Sequence, residues 1–360
     1  MSKLSLLSVV ALLCSVSVNA QSLSSTSRGS KFNPAIGLNT LFKYTNSSKT
    51  PDEDGLALEA VELQFSSDVD AYFRAEATIG IHAKHEEEGA TEHAHGYDVE
   101  PEEVFVETIS LPYVTVKAGK SFVNFGKYNA VHTHAQPFIS KSQLQTKLIG
   151  EESLSQVGIG ASFLAPLGWF SEVSLQAFQP ENDELFVDSH HSPAYSVKWK
   201  NLWELSDDLT LESGLSAIKF HAHSHGSDVE DETSLMAADL TFKWKPSTGG
   251  KYNSFMWSTE FISKERSGSV VSKNSGVTTF SRVQLSQRLF AQAQYEFIGF
   301  GKSEGENDIN SYAALVAFNP TEFSSLRAQY EQTHESNTAV DKKISLQLNV
   351  SIGAHPAHQY

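Results

Sequence analysis

The feature that most restricts this chain is a period of two. From Ala35 onward it falls into about sixteen segments of roughly 8–12 residues in which apolar and polar side chains alternate. In the first, Ile36, Leu38, Thr40, Phe42 and Tyr44 share a face opposite Asn39 and Lys43. In the third, Phe73, Ala75, Ala77, Ile79 and Ile81 oppose Arg74, Glu76, Thr78 and His82, and in the last Ile344, Leu346, Leu348, Val350 and Ile352 oppose Ser345, Gln347, Asn349 and Ser351. A soluble sandwich hides such an oily face against a second sheet. A membrane barrel turns it to lipid and keeps a polar lumen. The connections separate the two. Short ones fall at 66–68, 110–112, 165–168, 201–208, 246–250, 286–288 and 319–321, and long ones near 45–55, 82–102, 126–152, 179–192, 220–232, 264–276, 299–308 and 333–341. Strict alternation of short turns and long loops predicts an all-β, transmembrane antiparallel β-barrel of about 16 strands, its short turns periplasmic and its long loops outside. Trp169, Trp199, Trp203 and Trp244 lie beside short turns, where an interfacial aromatic belt belongs.

The start of the chain supports an exported protein. Lys3, the apolar run over 4–18 and the small-residue site Val18-Asn19-Ala20 read as a cleaved signal peptide over 1–20. Residues 21–34 then form a short periplasmic segment and 35–360 the barrel, placed in a bacterial outer membrane with lipid around it. Cys14, the one cysteine, is lost with the signal and is preceded by Leu13, which does not suit a lipidated site; no disulfide or thiolate site remains. The formal net charge of -16 excludes nucleic acid as a partner and speaks against a pore tuned for anions.

Alternation stops in one place, the stretch 126–150, and does so for longer than a connecting loop needs. Tyr128, Val131, Phe138, Leu144, Leu148 and Ile149 make it too apolar for a solvated tail. The stretch is expected to fold into the barrel as the third outer loop, between the fifth and sixth strands, with Tyr128, Asn129, His132, His134 and Phe138 at a channel constriction. General porins fold a loop inward at the same position.

Fourteen histidines are present, and nearly all fall in loops. His82, His85, His93 and His95 stand at or in the second loop among Glu86, Glu87, Glu88 and Glu92; His132 and His134 are in the third; His221, His223 and His225 precede Asp228, Glu230, Asp231 and Glu232 in the fifth. Imidazole and carboxylate without thiol suit zinc, with copper and nickel as rivals. In an extended segment, His-x-His spacing places both rings on one side, within reach of one ion. Those nine histidines are the candidate metal ligands, and binding should weaken below about pH 6.5. For His132 and His134, hydrogen bonds that pin the loop to the wall are the alternative. Acidic loops that merely solvate the surface are the alternative for the rest, and are preferred for His190 and His191. No nucleophile elbow, His-Glu-x-x-His or phosphate loop is present, so no catalytic residue is expected.

Gly119-Lys120, Phe125-Gly126, Asn129, His132-Thr133-His134, Pro137-Phe138, Gly150-Glu151-Glu152, Leu154 and Gly158 resemble a family of porin-like outer-membrane proteins of Gram-negative bacteria described as zinc-regulated. The ending Gly353-Ala354-His355-Pro356-Ala357-His358-Gln359-Tyr360 is similar to that family's close. The resemblance implies a channel taking up zinc or other divalent cations as bound or carried ligands, with no required cofactor. The aromatic end suits recognition by the outer-membrane assembly machinery, and a homo-oligomer stays open because porins are often trimers. The fifteen or so residues before the first strand leave no room for the plug of a TonB-dependent receptor, and the lysine ladder of phosphate-selective porins is missing. Two rival functions remain: a general or solute-specific porin with incidental histidines, and a surface binding or adhesion barrel with a closed lumen.

Overall fold

The computed structural model describes residues 29–30, 33–49, 54–83, 96–182, 185–186, 192–223, 230–250, 252–268 and 271–353. The expected signal peptide and the last seven residues lie outside them. A two-residue strand, Gly29–Ser30 (β1), pairs parallel with the third strand through Gly29↔Ser67. The rest is one antiparallel sheet: Ala35–Ser47 (β2), Gly55–Asp68 (β3), Phe73–Ala83 (β4), Tyr97–Thr108 (β5), Val114–Phe122 (β6), Ser155–Leu164 (β7), Phe170–Gln179 (β8), Ala194–Ser206 (β9), Leu209–His223 (β10), Glu230–Trp244 (β11), Ser254–Ser267 (β12), Ser272–Gln284 (β13), Leu289–Ile298 (β14), Ile309–Thr321 (β15), Ser324–Glu335 (β16) and Asp341–Gly353 (β17). Every strand from β2 to β17 pairs with its neighbours in sequence, and β17 pairs with β2 through Gly353↔Gly37 to Lys343↔Ser47, so the sheet closes on itself. The fold is a closed barrel of sixteen strands.

Closure removes the sheet edges, and with them the unpaired backbone groups that lipid cannot satisfy. The faces then sort as the alternation requires. Ile36, Phe42, Tyr44, Ile344, Leu346 and Ile352 are exposed on the outside, while Asn39, Glu62, Gln64, Thr78, Ser345 and Gln347 are buried on the lumen side. That is a soluble protein's distribution turned inside out, and it excludes the sandwich. Trp169 and Trp203 stack with ring centroids 6.4 Å apart at the short-turn end.

Several strands are longer than the segments read from the sequence, reaching fifteen residues in β10 and β11. Expected boundaries shift as a result: β5 begins at Tyr97, inside the loop expected at 82–102, and β12 and β13 reach Ser267 and Ser272 inside the one expected at 264–276. The turn placed at 201–208 shrinks to 207–208, because β9 continues to Ser206. The fifth loop retreats to 224–229, because both flanking strands pair out to His223↔Glu230. The backbone ladder continues there although the sequence reads as loop.

Candidate functional site

The stretch after β6 turns inward and crosses the lumen. Its neck is closed by the Val123 N–H donating to the Leu154 carbonyl at 2.8 Å. Asn129 locks the neck: its amide donates to the Val123 carbonyl at 2.8 Å and the Leu154 carbonyl at 3.2 Å, and its Oδ1 accepts from the Leu154 N–H at 2.7 Å. At Gly126 the chain turns with φ +57, a conformation that favours glycine, and a Cβ would meet Glu260 Oε1 at 2.3 Å and push that carboxylate aside. Beyond the neck, loop residues hydrogen-bond to ten of the sixteen strands: β3, β5, β8, β9, β10, β11, β12, β14, β16 and β17.

One arm of the loop is held by apolar packing. A short helix, Gln143–Leu148 (α1), buries Leu144 and Leu148, which join Val123, Phe125 and Ile149 from the loop with Phe178, Ile218, Phe220, Leu235, Ile262 and Ile298 from the wall. Glu296 on β14 accepts from Ser142 Oγ and, at 3.0 Å, from the Gln143 N–H, and so satisfies one orphan backbone donor at the helix start. Phe138 and Ile139 enter a second cluster with Phe280 and Leu315, and Tyr128 packs on Phe280 while donating its hydroxyl to Ser258 Oγ at 2.7 Å. At the root, Lys127 Nζ donates to Glu212 at 2.7 Å and to Thr241 at 2.6 Å; burial pulls its pKa below the ordinary lysine value despite the carboxylate.

The other arm is held by charge. His132 precedes a single 3₁₀ turn, Thr133–Ala135, that contains His134, and both histidines face glutamates of β3 and β5. His132 Nδ1 lies 3.0 Å from Glu102 Oε2 and 3.9 Å from Glu62 Oε2, and its Nε2 lies 3.2 Å from Glu103 Oε2. His134 Nδ1 bonds Glu62, and His82 Nε2 meets the second oxygen of Glu102 at 2.8 Å. Carboxylates and imidazoles therefore alternate: His82, Glu102, His132, Glu62, His134. Among the described residues, the donors of Glu62, Glu102 and His132 lie within 4.8 Å of one another, a spacing that can hold a metal ion. Burial works against charge on His132, but hydrogen bonds to Glu102 and Glu103 and the nearby Glu62 outweigh it and push its pKa up to about 10.

A bulge makes this geometry available. Thr78 pairs with Glu103 and Ile79 with Pro101, which leaves Glu102 as the extra residue in β5. In a regular strand, adjacent side chains point to opposite faces. Here the bulge brings Glu102 and Glu103 to the same lumen-side imidazole, and Pro101, which cannot donate to the ladder, sits where a bulge tolerates it.

Three of the nine histidines expected to ligate metal, His82, His132 and His134, come together here. The rings of His132 and His134 stack 5.8 Å apart, and His134 is linked to the three-donor group through Glu62. His221 and His223 belong to β10 rather than to a loop, and His221 is exposed on the outer face, 3.6 Å from Glu232, because Phe220 takes the lumen side. His85, His93, His95 and His225 lie outside the described residues. Of the expected constriction, His132 and His134 stand at the loop tip, while Asn129 and Phe138, 2% and 3% exposed, are anchors with no lumen surface. Their amide and ring are used up by the neck and the apolar cluster. Glu62, Glu102 and Glu103 did not stand out in the sequence; Pro101 inside a strand, followed by paired glutamates, was the available signal for the last two.

No family model matches the chain. A protein of Aquifex aeolicus (strain VF5) described only as uncharacterized is 24% identical over 349 residues, 86% of this chain and 71% of that one. Among solved structures, the anion-selective porin from Comamonas acidovorans superposes with TM-score 0.60 at 9% identity, covering 89% of this chain and 100% of that one. The outer membrane channel DcaP of Acinetobacter baumannii gives 0.60 at 12% identity, covering 90% and 99%. The trimer form of OmpT, an outer membrane protein of Vibrio cholerae, gives 0.59 at 8% identity, covering 89% and 99%. At these identities the likeness is one of fold, and the fold is that of the outer-membrane porins.

Proposed function

We propose that this chain is an outer-membrane channel of porin type that admits divalent cations, zinc foremost, past a binding site where the inward loop meets the wall. The carrying observation is the group Glu62, Glu102 and His132, three donors within 4.8 Å of one another contributed by β3, β5 and the loop tip. Two carboxylates and one imidazole with no thiolate suit zinc, with nickel and copper as chemical rivals. Three protein donors leave a position for water, so the cation is held as cargo that can be released. The net charge of -16 concentrates cations at the mouth over about 10 Å. On this reading no reaction is catalysed. Lipid surrounds the apolar belt, the assembly machinery inserts the chain after signal cleavage, and a homo-oligomer follows the example of the OmpT trimer form.

Zinc entry into proteoliposomes carrying a trapped zinc indicator tests this. Substituting His132→Ala or Glu62→Gln should slow entry about tenfold or more, the scale of losing groups that hold a metal, while leaving chloride conductance in place. Zinc entry equal to wild type in both variants would mark a general or solute-specific porin with incidental histidines, a reading favoured by the fold's likeness to an anion-selective porin. Absence of any conductance would mark a closed barrel, a reading favoured by a loop bonded to ten strands.

A further inference from the structure

We infer that Glu103 is the residue that sets which cations the site accepts: it holds His132 in the tautomer whose Nδ1 faces the ion, and so tunes the site to metals that prefer imidazole. This rests on the proposed cation site and specifies it.

Glu103 is not one of the three donors that lie within 4.8 Å of one another. Its Oε1 accepts the Phe122 N–H at 3.0 Å, a buried bond from the last residue of β6, which leaves Oε2 aimed at His132 Nε2 at 3.2 Å. The ring is further fixed by an edge contact with Phe122, centroids 5.0 Å apart. An ionised carboxylate only accepts, so the nitrogen facing it carries the proton. With Nε2–H committed to Glu103, the lone pair that neutral His132 can offer is on Nδ1, the nitrogen that faces Glu62 and Glu102. A carboxylate behind a ligating histidine orients the ring and raises its basicity, and removing such a partner costs roughly 10–100-fold in metal affinity. The other two donors are carboxylates, which hard cations such as calcium use without needing imidazole. Glu103 therefore acts on zinc through His132 and on calcium through its charge alone.

The difference gives a test that a merely structural role would not pass. The full-length barrel, folded in detergent, is titrated calorimetrically with zinc chloride and with calcium chloride, taking as the site's signal the component lost in E62Q, which removes a carboxylate that both ions use. In E103Q the amide carbonyl can still accept the Phe122 N–H while the NH₂ group turns to His132 Nε2 as a donor, which moves the proton to Nδ1. The zinc affinity of that component should fall about 10–100-fold relative to the calcium affinity. Loss of one negative charge weakens both titrants alike, so the ratio is the readout; E103A, with the same two titrants, replaces E103Q should that variant not fold. Zinc and calcium falling by the same factor, or neither falling, overturns the role of Glu103 and leaves the cation site standing. A zinc signal in which E62Q removes nothing overturns the cation site itself, and this inference with it.

Discussion

On the β12–β14 side the inward loop meets the barrel through Leu144, Leu148 and Ile149 packed into Ile262 and Ile298. On the β3–β5 side it meets the barrel through His132 and His134 set among Glu62, Glu102 and Glu103. The first arm is a protein core displaced into a lumen, and its cohesion is non-directional and insensitive to pH. The second is held by charge-assisted hydrogen bonds whose strength depends on proton and metal occupancy. The contrast separates two kinds of attachment: the apolar arm provides a rigid mount, and under the proposed function the charged arm exchanges its protons for a cation without the loop coming free.

The largest effect should come from breaking the mount. Leu144→Ala removes a fully buried side chain and should cost about 2–5 kcal/mol of stability, read as a shift in the urea midpoint of the folded barrel or as faster tryptic cleavage at Lys147. Next, H132A should abolish the site's zinc component while costing less stability than L144A. The double variant L144A/H132A should be additive within about 0.3–0.5 kcal/mol, because the two residues engage different arcs of the wall. A larger coupling would mean that the arms act as one unit and that the contrast is false. A smaller effect concerns pH. His132 has its folded pKa raised from 6.5 to about 10, so its contribution to stability is fully present below about pH 6.5 and is lost as pH rises through about 10. The melting temperature of metal-free wild type should exceed that of H132A at pH 7, and the gap should close by about pH 10.5. The smallest effect is expected from His221→Ala on the outer face, whose stability change should stay within about 0.5 kcal/mol with no change in zinc entry.

The barrel was legible because alternation is a one-dimensional signal that closure simply repeats. The identity of the inward loop was legible because that signal stops at Gly126. What escaped was register. Glu102 reaches His132 because β5 carries one extra residue against β4, and two-residue periodicity assigns neighbouring glutamates to opposite faces. Glu62 escaped for the opposite reason: it sits in perfect alternation and looks like any lumen residue until a loop from another part of the chain is laid over it. His221 and His223 misled because composition made a loop of what hydrogen bonding makes a strand. Asn129 and Phe138 misled because polarity and aromaticity alone do not tell a pore lining from a clamp.

The most direct test is crystallographic. Crystals of the full-length barrel grown with zinc, measured on both sides of the zinc absorption edge, should show an anomalous peak about 2.0–2.2 Å from His132 Nδ1 and from oxygens of Glu62 and Glu102, absent from crystals of H132A. Zinc found only at outer-loop histidines, with nothing between Glu62, Glu102 and His132, would contradict the account.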